Sequence, residues 1–107
     1  LASVRKTGRL VVADTGGTIG GFGAEIVAMA AEELGEALTR PPRRLGMPDC
    51  PVPTSPALSV LCYPTAADVI DAVSAVLGVP AGRVPLPAQA APAVPADVPH
   101  SGFTGPF

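Results

Sequence analysis

The stretch Gly8-Arg-Leu-Val-Val-Ala-Asp-Thr-Gly-Gly-Thr-Ile-Gly-Gly-Phe-Gly-Ala-Glu-Ile26 decides the fold. An apolar run, Leu10 to Ala13, is followed by five glycines in eight positions, Gly16 to Gly23, and then by a helical pattern. Strand, glycine loop and helix in that order indicate an α/β protein, with the loop at the carboxyl end of a strand. Open α/β sheets hold ligands and partners at that edge, so the loop is the first candidate for function. Residues 9–14 lack polar alternation and read as a strand buried on both faces of a parallel sheet.

Beyond the loop the apolar spacing changes. Phe22, Ile26, Ala30, Leu34 and Leu38 recur every fourth residue, which predicts one apolar stripe on a helix of about four turns. Glu32, Glu33 and Glu36 crowd its C-terminal end, where the helix dipole disfavours acids, with Arg40, Arg43 and Arg44 beyond to compensate. Pro41 and Pro42 end the helix, and Arg43 to Gly46 is a short second strand. Four prolines between Pro48 and Pro56 predict an extended, polyproline-like connection. Ser55 then reads as an N-cap, with Pro56 at the first position of a short helix reaching Cys62. Thr65-Ala-Ala-Asp68 approximates a capping box, with Asp in place of Glu. It opens a last helix with Val69, Val73, Val76 and Leu77 on one face, stopped by Gly78.

The chain thus divides into a folded region, 1–78, and a segment 79–107 that carries seven prolines among alanine and valine. The latter reads as an extended, disordered Pro/Ala-rich tail. A length of 107 residues allows one domain. The net charge of −2 argues against nucleic acid, which needs a basic stripe. The mean hydropathy of +0.42 comes from alanine and valine, and no apolar run approaches the ~20 residues of a membrane span. Arg5, Lys6 and Arg9 stand where a secretory signal would be apolar. Cys50 and Cys62 fit no zinc spacing and read as free thiols of a cytoplasmic protein.

Few residues carry chemistry. The single histidine, His100, lies in the tail, away from any nucleophile it would activate. Gly21-Phe-Gly-Ala-Glu-Ile26 ends in Ile where a dinucleotide fingerprint needs Gly or Ala, and no phosphate-binding loop motif occurs. Asp14 reads as a strand-end turn cap and Glu25 as a first-turn helix acid; Gly20, Gly21 and Gly23 shape the loop. Thr15-Gly-Gly-Thr-Ile19 resembles the nucleophile loop of L-asparaginases, which would make Thr18 the nucleophile of a small threonine amidohydrolase. The Gly-Thr-Asp-Thr motif and following lysine of that family are missing, and no lysine occurs after Lys6.

A second resemblance covers most of the chain. Ser3-Val-Arg-Lys-Thr-Gly-Arg-Leu-Val-Val-Ala-Asp14, Gly20-Gly-Phe-Gly-Ala-Glu-Ile26, Arg44-Leu-Gly-Met-Pro-Asp49, Pro51-Val-Pro-Thr-Ser-Pro-Ala-Leu58 and Tyr63-Pro-Thr-Ala-Ala-Asp-Val-Ile70 occur in order. Together they resemble the C-terminal, transketolase-like domain of the beta subunit of thiamine-diphosphate-dependent 2-oxo acid dehydrogenases. The resemblance implies a three-layer α/β/α sandwich with a mixed, mostly parallel sheet, here N-terminally truncated by a strand, a helix and a strand. It implies an assembly and interaction module rather than a catalyst, in a parent enzyme that oxidatively decarboxylates a 2-oxo acid and transfers the acyl group to a lipoyl group. Thiamine diphosphate and magnesium belong to the parent complex, and none is bound by this chain alone. The implied partners are an alpha subunit or other thiamine-binding chain and the subunit-binding domain of a lipoyl acyltransferase, in an oligomer. An alternative is a split transketolase-like subunit that transfers a two-carbon or acyl unit in a biosynthetic pathway. The loop and interface candidates are Asp14, Thr15, Gly20, Gly21, Gly23, Glu25 and Ser55. Thr15, Gly17 and Thr54 depart from the family pattern. About 70 ordered residues with few aromatics make a thin core, which favours oligomerisation.

Overall fold

The apolar run after Gly8 and the short run after Pro42 become two parallel strands, β1 (Val11–Gly17) and β2 (Arg43–Met47). The structure, a computed structural model, describes residues 1–80, 82–85, 102 and 104. Among these residues lie four helices: α1 (Ala2–Thr7), α2 (Phe22–Leu34) with a following 3-10 turn (Gly35–Ala37), α3 (Pro56–Ser59) and α4 (Ala66–Leu77). The tail expected at 79–107 lies mostly outside the described residues.

Alternation along β1 fixes the layers. Val12 points to α2, its Cγ1 lying 3.5 Å from where a β-carbon on Gly23 would sit. Ala13 and Thr15, on the opposite face, line a cavity with Val69 of α4. One helix therefore covers each face of the sheet, which is the three-layer α/β/α order. The two strands pair in parallel; no antiparallel strand occurs among the described residues.

The core is small. Val12, Ala30, Leu34, Cys62, Ala72 and Val76 are its buried apolar residues, and no large side chain is fully enclosed among the described residues. Three expectations change accordingly. β1 is not buried on both faces, because Ala13 and Thr15 remain exposed; the sheet has two strands among the described residues, and α4 shields that face incompletely. In α4 the covered stripe is Ala72 and Val76, with Val69 half-buried, whereas Val73 and Leu77 are exposed. The expected stripe followed the largest apolar side chains, whereas the small Ala72 permits the closer approach. In α2, Ala30 and Leu34 are buried as the stripe predicts, but Phe22 at its start is exposed. Helix α1 has no counterpart in the sequence reading, and none of its residues is buried.

The ends of α4 follow local chemistry closely. Asp68 Oδ2 accepts hydrogen bonds from the Thr65 N–H at 2.7 Å and the Thr65 hydroxyl at 2.6 Å, while Thr65 Oγ1 accepts from the Asp68 N–H at 3.3 Å. This is a reciprocal capping box. At the other end Gly78 is left-handed, and the N–H groups of Gly78 and Val79 donate to the carbonyls of Ala75 and Ser74, a Schellman stop. The Arg40 guanidinium lies against Gly78, beside the carbonyl end of α4 rather than serving the acids of α2 alone.

Hydrogen bonds from Thr65 hold the Asp68 carboxyl below its ordinary value. A carboxyl lowered on folding stabilises the fold above its unfolded pKa, and that contribution is lost as pH falls through the folded value. Thr65→Ala is expected to cost about 1 kcal/mol at neutral pH, and the deficit relative to wild type should shrink under acid. Thermal unfolding of both chains between neutral and acid pH checks this.

Candidate functional site

Because the strands run parallel, the connections that leave them emerge on one edge. β1 carries a bulge there: Ala13 pairs with Leu45 and Gly17 with Met47, so four steps on β1 match two on β2. The strand therefore continues past Asp14, and Asp14 lies inside β1 rather than capping its end. Two glycines make this crowding feasible. A β-carbon on Gly46 would lie 2.6 Å from the Gly16 carbonyl oxygen, and one on Gly21 would fall onto the Gly17 carbonyl oxygen. Gly20 has φ +66°, a conformation side chains resist.

β2 fastens the loop. The Thr18 N–H donates to the Met47 carbonyl at 3.1 Å, and Arg44 Nη1 donates to the Thr18 carbonyl at 2.7 Å. Beyond this clamp lies an open cleft of about 300 Å3, lined among others by Thr18, Arg44, Leu61, Cys62, Tyr63 and Asp68. Asp68 is already engaged by Thr65. Thr18 is remote from the lysine an amidohydrolase would use. Lys6 is in α1, whose Arg5 lines a cavity with the C-terminal end of α2, whereas Thr18 precedes the N-terminus of α2. The helix between them has 13 residues, about 20 Å of length.

The remaining expected residues spread around this edge. Thr15 and Asp14 line a second cavity, of about 240 Å3, against the start of α4. Glu25 is exposed in the first turn of α2. Gly23 belongs to α2 rather than to the loop; a β-carbon there would meet Val12 at an ordinary 3.5 Å. Gly23→Ala is therefore expected to be neutral or to raise stability by about 0.5 kcal/mol, read from the denaturant midpoint. Ser55 occupies the N-cap position of α3, but its side chain makes no cap hydrogen bond. Its carbonyl accepts the N–H groups of Leu58 and Ser59 instead.

The most conspicuous feature is apolar. Ile19 and Phe22 are each 71 % exposed and Leu61 is 77 % exposed, with Leu58 and Val60 also open to solvent. Ile19 follows the clamped Thr18, and Leu61 shares the cleft with Thr18, so Ile19 and Leu61 border the carboxyl edge. Sequence reasoning missed Arg44, Gly46 and Leu61 as parts of it. The available signal was that α3 and the turn after it carry more apolar side chains than so short an element can bury.

The profile of the transketolase C-terminal domain matches residues 1–69. The chain belongs to the transketolase C-terminal domain family. This transketolase C-terminal domain is 40 % identical over 76 residues to the pyruvate dehydrogenase E1 component subunit beta of Rickettsia bellii, covering 71 % of the chain and 23 % of that protein. The corresponding subunit of Rhizobium meliloti is 36 % identical over 76 residues, 71 % of the chain and 16 % of the relative. The mitochondrial subunit beta-1 of Oryza sativa is 38 % identical over 71 residues, 66 % and 19 % respectively. The chain thus spans about a quarter or less of the length of these relatives.

The matched region contains the glycine loop, the Arg44 clamp and α3. Among the described residues no group of three or more His, Cys, Asp or Glu is placed to hold a metal ion. No helix among the described residues is long and apolar enough to cross a membrane.

Proposed function

We propose that this chain is a subunit-assembly module of a thiamine-diphosphate-dependent 2-oxo acid dehydrogenase component. Its docking surface is the carboxyl edge of the sheet. The observation that carries this reading is the exposure of Ile19, Phe22, Leu58 and Leu61 beside a core of six small to medium apolar residues among the described ones. In this reading these side chains form one apolar surface at that edge, of the kind that marks an interaction site, and interface centres favour aromatic and apolar anchors. The bonds from the Thr18 N–H to Met47 and from Arg44 to the Thr18 carbonyl fix the backbone next to Ile19, which lowers the ordering cost of association.

In this reading the parent enzyme decarboxylates a 2-oxo acid, as the names of the relatives suggest, and passes the acyl group to a lipoyl carrier. Thiamine diphosphate and magnesium are held by other chains, of which an alpha-type subunit is the principal partner. The acyltransferase subunit-binding domain is a second, and the assembly works in the cytoplasm. Co-expression with the alpha-type subunit encoded by the same genome tests the proposal. A stoichiometric complex that survives size-exclusion chromatography is expected. Two separately eluting chains would contradict it.

A further inference from the structure

The cleft beyond the loop clamp holds a charge that the assembly reading leaves unused. Arg44 is exposed, and among the described residues its guanidinium makes one hydrogen bond, from Nη1 to the Thr18 carbonyl at 2.7 Å. The Thr18 N–H is itself fastened to the Met47 carbonyl, so the guanidinium is anchored to fixed backbone. Asp68, the one acid lining the cleft, is engaged elsewhere: its Oδ2 accepts the Thr65 N–H and hydroxyl, and no ion pair joins it to Arg44. Thr18 and Tyr63 also line the cleft, and their hydroxyls make no hydrogen bond among the described residues. Leu61 and Pro64 supply apolar wall, and Leu61 is the most exposed of the large apolar side chains.

We infer that this cleft binds an acidic side chain of the docking partner, one flanked by apolar residues. The inference rests on the assembly reading and names the chemistry of what docks. The bond to Thr18 uses Nη1, which leaves Nη2 and Nε, the edge of the fork that meets a carboxylate through two parallel N–H···O bonds. The anchoring bond lowers the entropy lost when a ligand arrives, and the two hydroxyls supply further donors. A phosphate would satisfy the same fork, but its second charge would face the Asp68 carboxylate across the cleft; a single carboxylate keeps that repulsion small. A volume of about 300 Å3 with apolar walls takes a side chain and its neighbour rather than a bare ion. Thr18 lines the cleft and Ile19 follows it, so a partner seated on Ile19 reaches Arg44.

The test titrates the isotope-labelled full chain with the peptide acetyl-Leu-Glu-Leu-amide and with its Gln counterpart, following amide resonances. At low salt the Glu peptide should bind about fivefold more tightly, with shifts at Thr18, Arg44 and Tyr63, and the preference should shrink as salt rises. Arg44→Gln should bring the two peptides within about twofold of each other. Tyr63→Phe leaves the bond to Thr18 in place and should weaken the Glu peptide about threefold; the spectrum of each free variant reports its fold, and if Arg44→Gln unfolds, Tyr63→Phe and the Gln peptide decide. Equal affinity for the two peptides, shifts away from the cleft, or a preference that survives Arg44→Gln would overturn the inference. So would an equal response to sodium acetate, which would make this a site for a small acid. The peptides need no partner chain. Their failure beside an intact complex removes the acidic side chain and spares the assembly reading, whereas peptide binding without a complex removes the alpha-type partner and spares the cleft.

Discussion

Gly21→Ala is expected to lower the unfolding free energy by at least about 2 kcal/mol, since overpacking against backbone leaves no side-chain rotamer to absorb the strain. The added methyl would fall onto the Gly17 carbonyl oxygen, and Gly17 is itself paired with Met47 across the sheet. Relief requires β1 to move off β2 or the loop to release Thr18, and either breaks the bond from the Thr18 N–H to Met47. The backbone at Gly21 is extended and accessible to any residue, with φ −81°, so the loss is steric rather than conformational. Urea unfolding followed by circular dichroism measures it. Gly23→Ala, two residues away, supplies the internal control, since the same methyl meets ordinary space there.

Phe22→Asp is expected to act in the opposite way, sparing the fold and abolishing association. Phe22 is 71 % exposed at the first position of α2, so its loss leaves the core intact and stability within about 0.5 kcal/mol of wild type. An acid in the first turn also suits the helix dipole. A central aromatic anchor in an interface contributes about 2 kcal/mol or more. Burying an unpaired carboxylate adds a further penalty, so the dissociation constant for the alpha-type subunit should rise at least about thirtyfold. Titration calorimetry of wild type and variant gives both numbers. An unchanged dissociation constant would remove Phe22 from the interface.

The glycine-loop stretch made the α/β order legible because its three signals reinforce one another: an apolar run, clustered glycines and a four-residue apolar period. The capping box at Thr65 and Asp68 and the stop at Gly78 were equally readable, since each is chemistry within a few residues. What failed depended on partners distant in sequence. The bulge at Asp14 to Gly16 exists because β2 approaches at Gly46, and nothing near Asp14 announces that. Ser55 has the right identity and position for a cap, yet only its carbonyl is used. The stripe expected on α4, Val69, Val73, Val76 and Leu77, was turned too far: Val73 and Leu77 are exposed and the smaller Ala72 is buried with Val76, because packing distance rather than hydrophobicity chose the flank. At the site, the glycines were visible as glycines. The guanidinium of Arg44 on the Thr18 carbonyl, 26 positions away, and the exposure of Leu61 became apparent only in three dimensions.

Hydrogen–deuterium exchange of the chain, free and bound to the alpha-type subunit, addresses the central claim most directly, because it locates the covered surface. The account predicts slowed exchange in residues 18–26 and 58–63 on binding, with α1 and the 3-10 turn at Gly35–Ala37 unchanged. Protection confined to α1 and that turn, at the opposite end of α2, would contradict it.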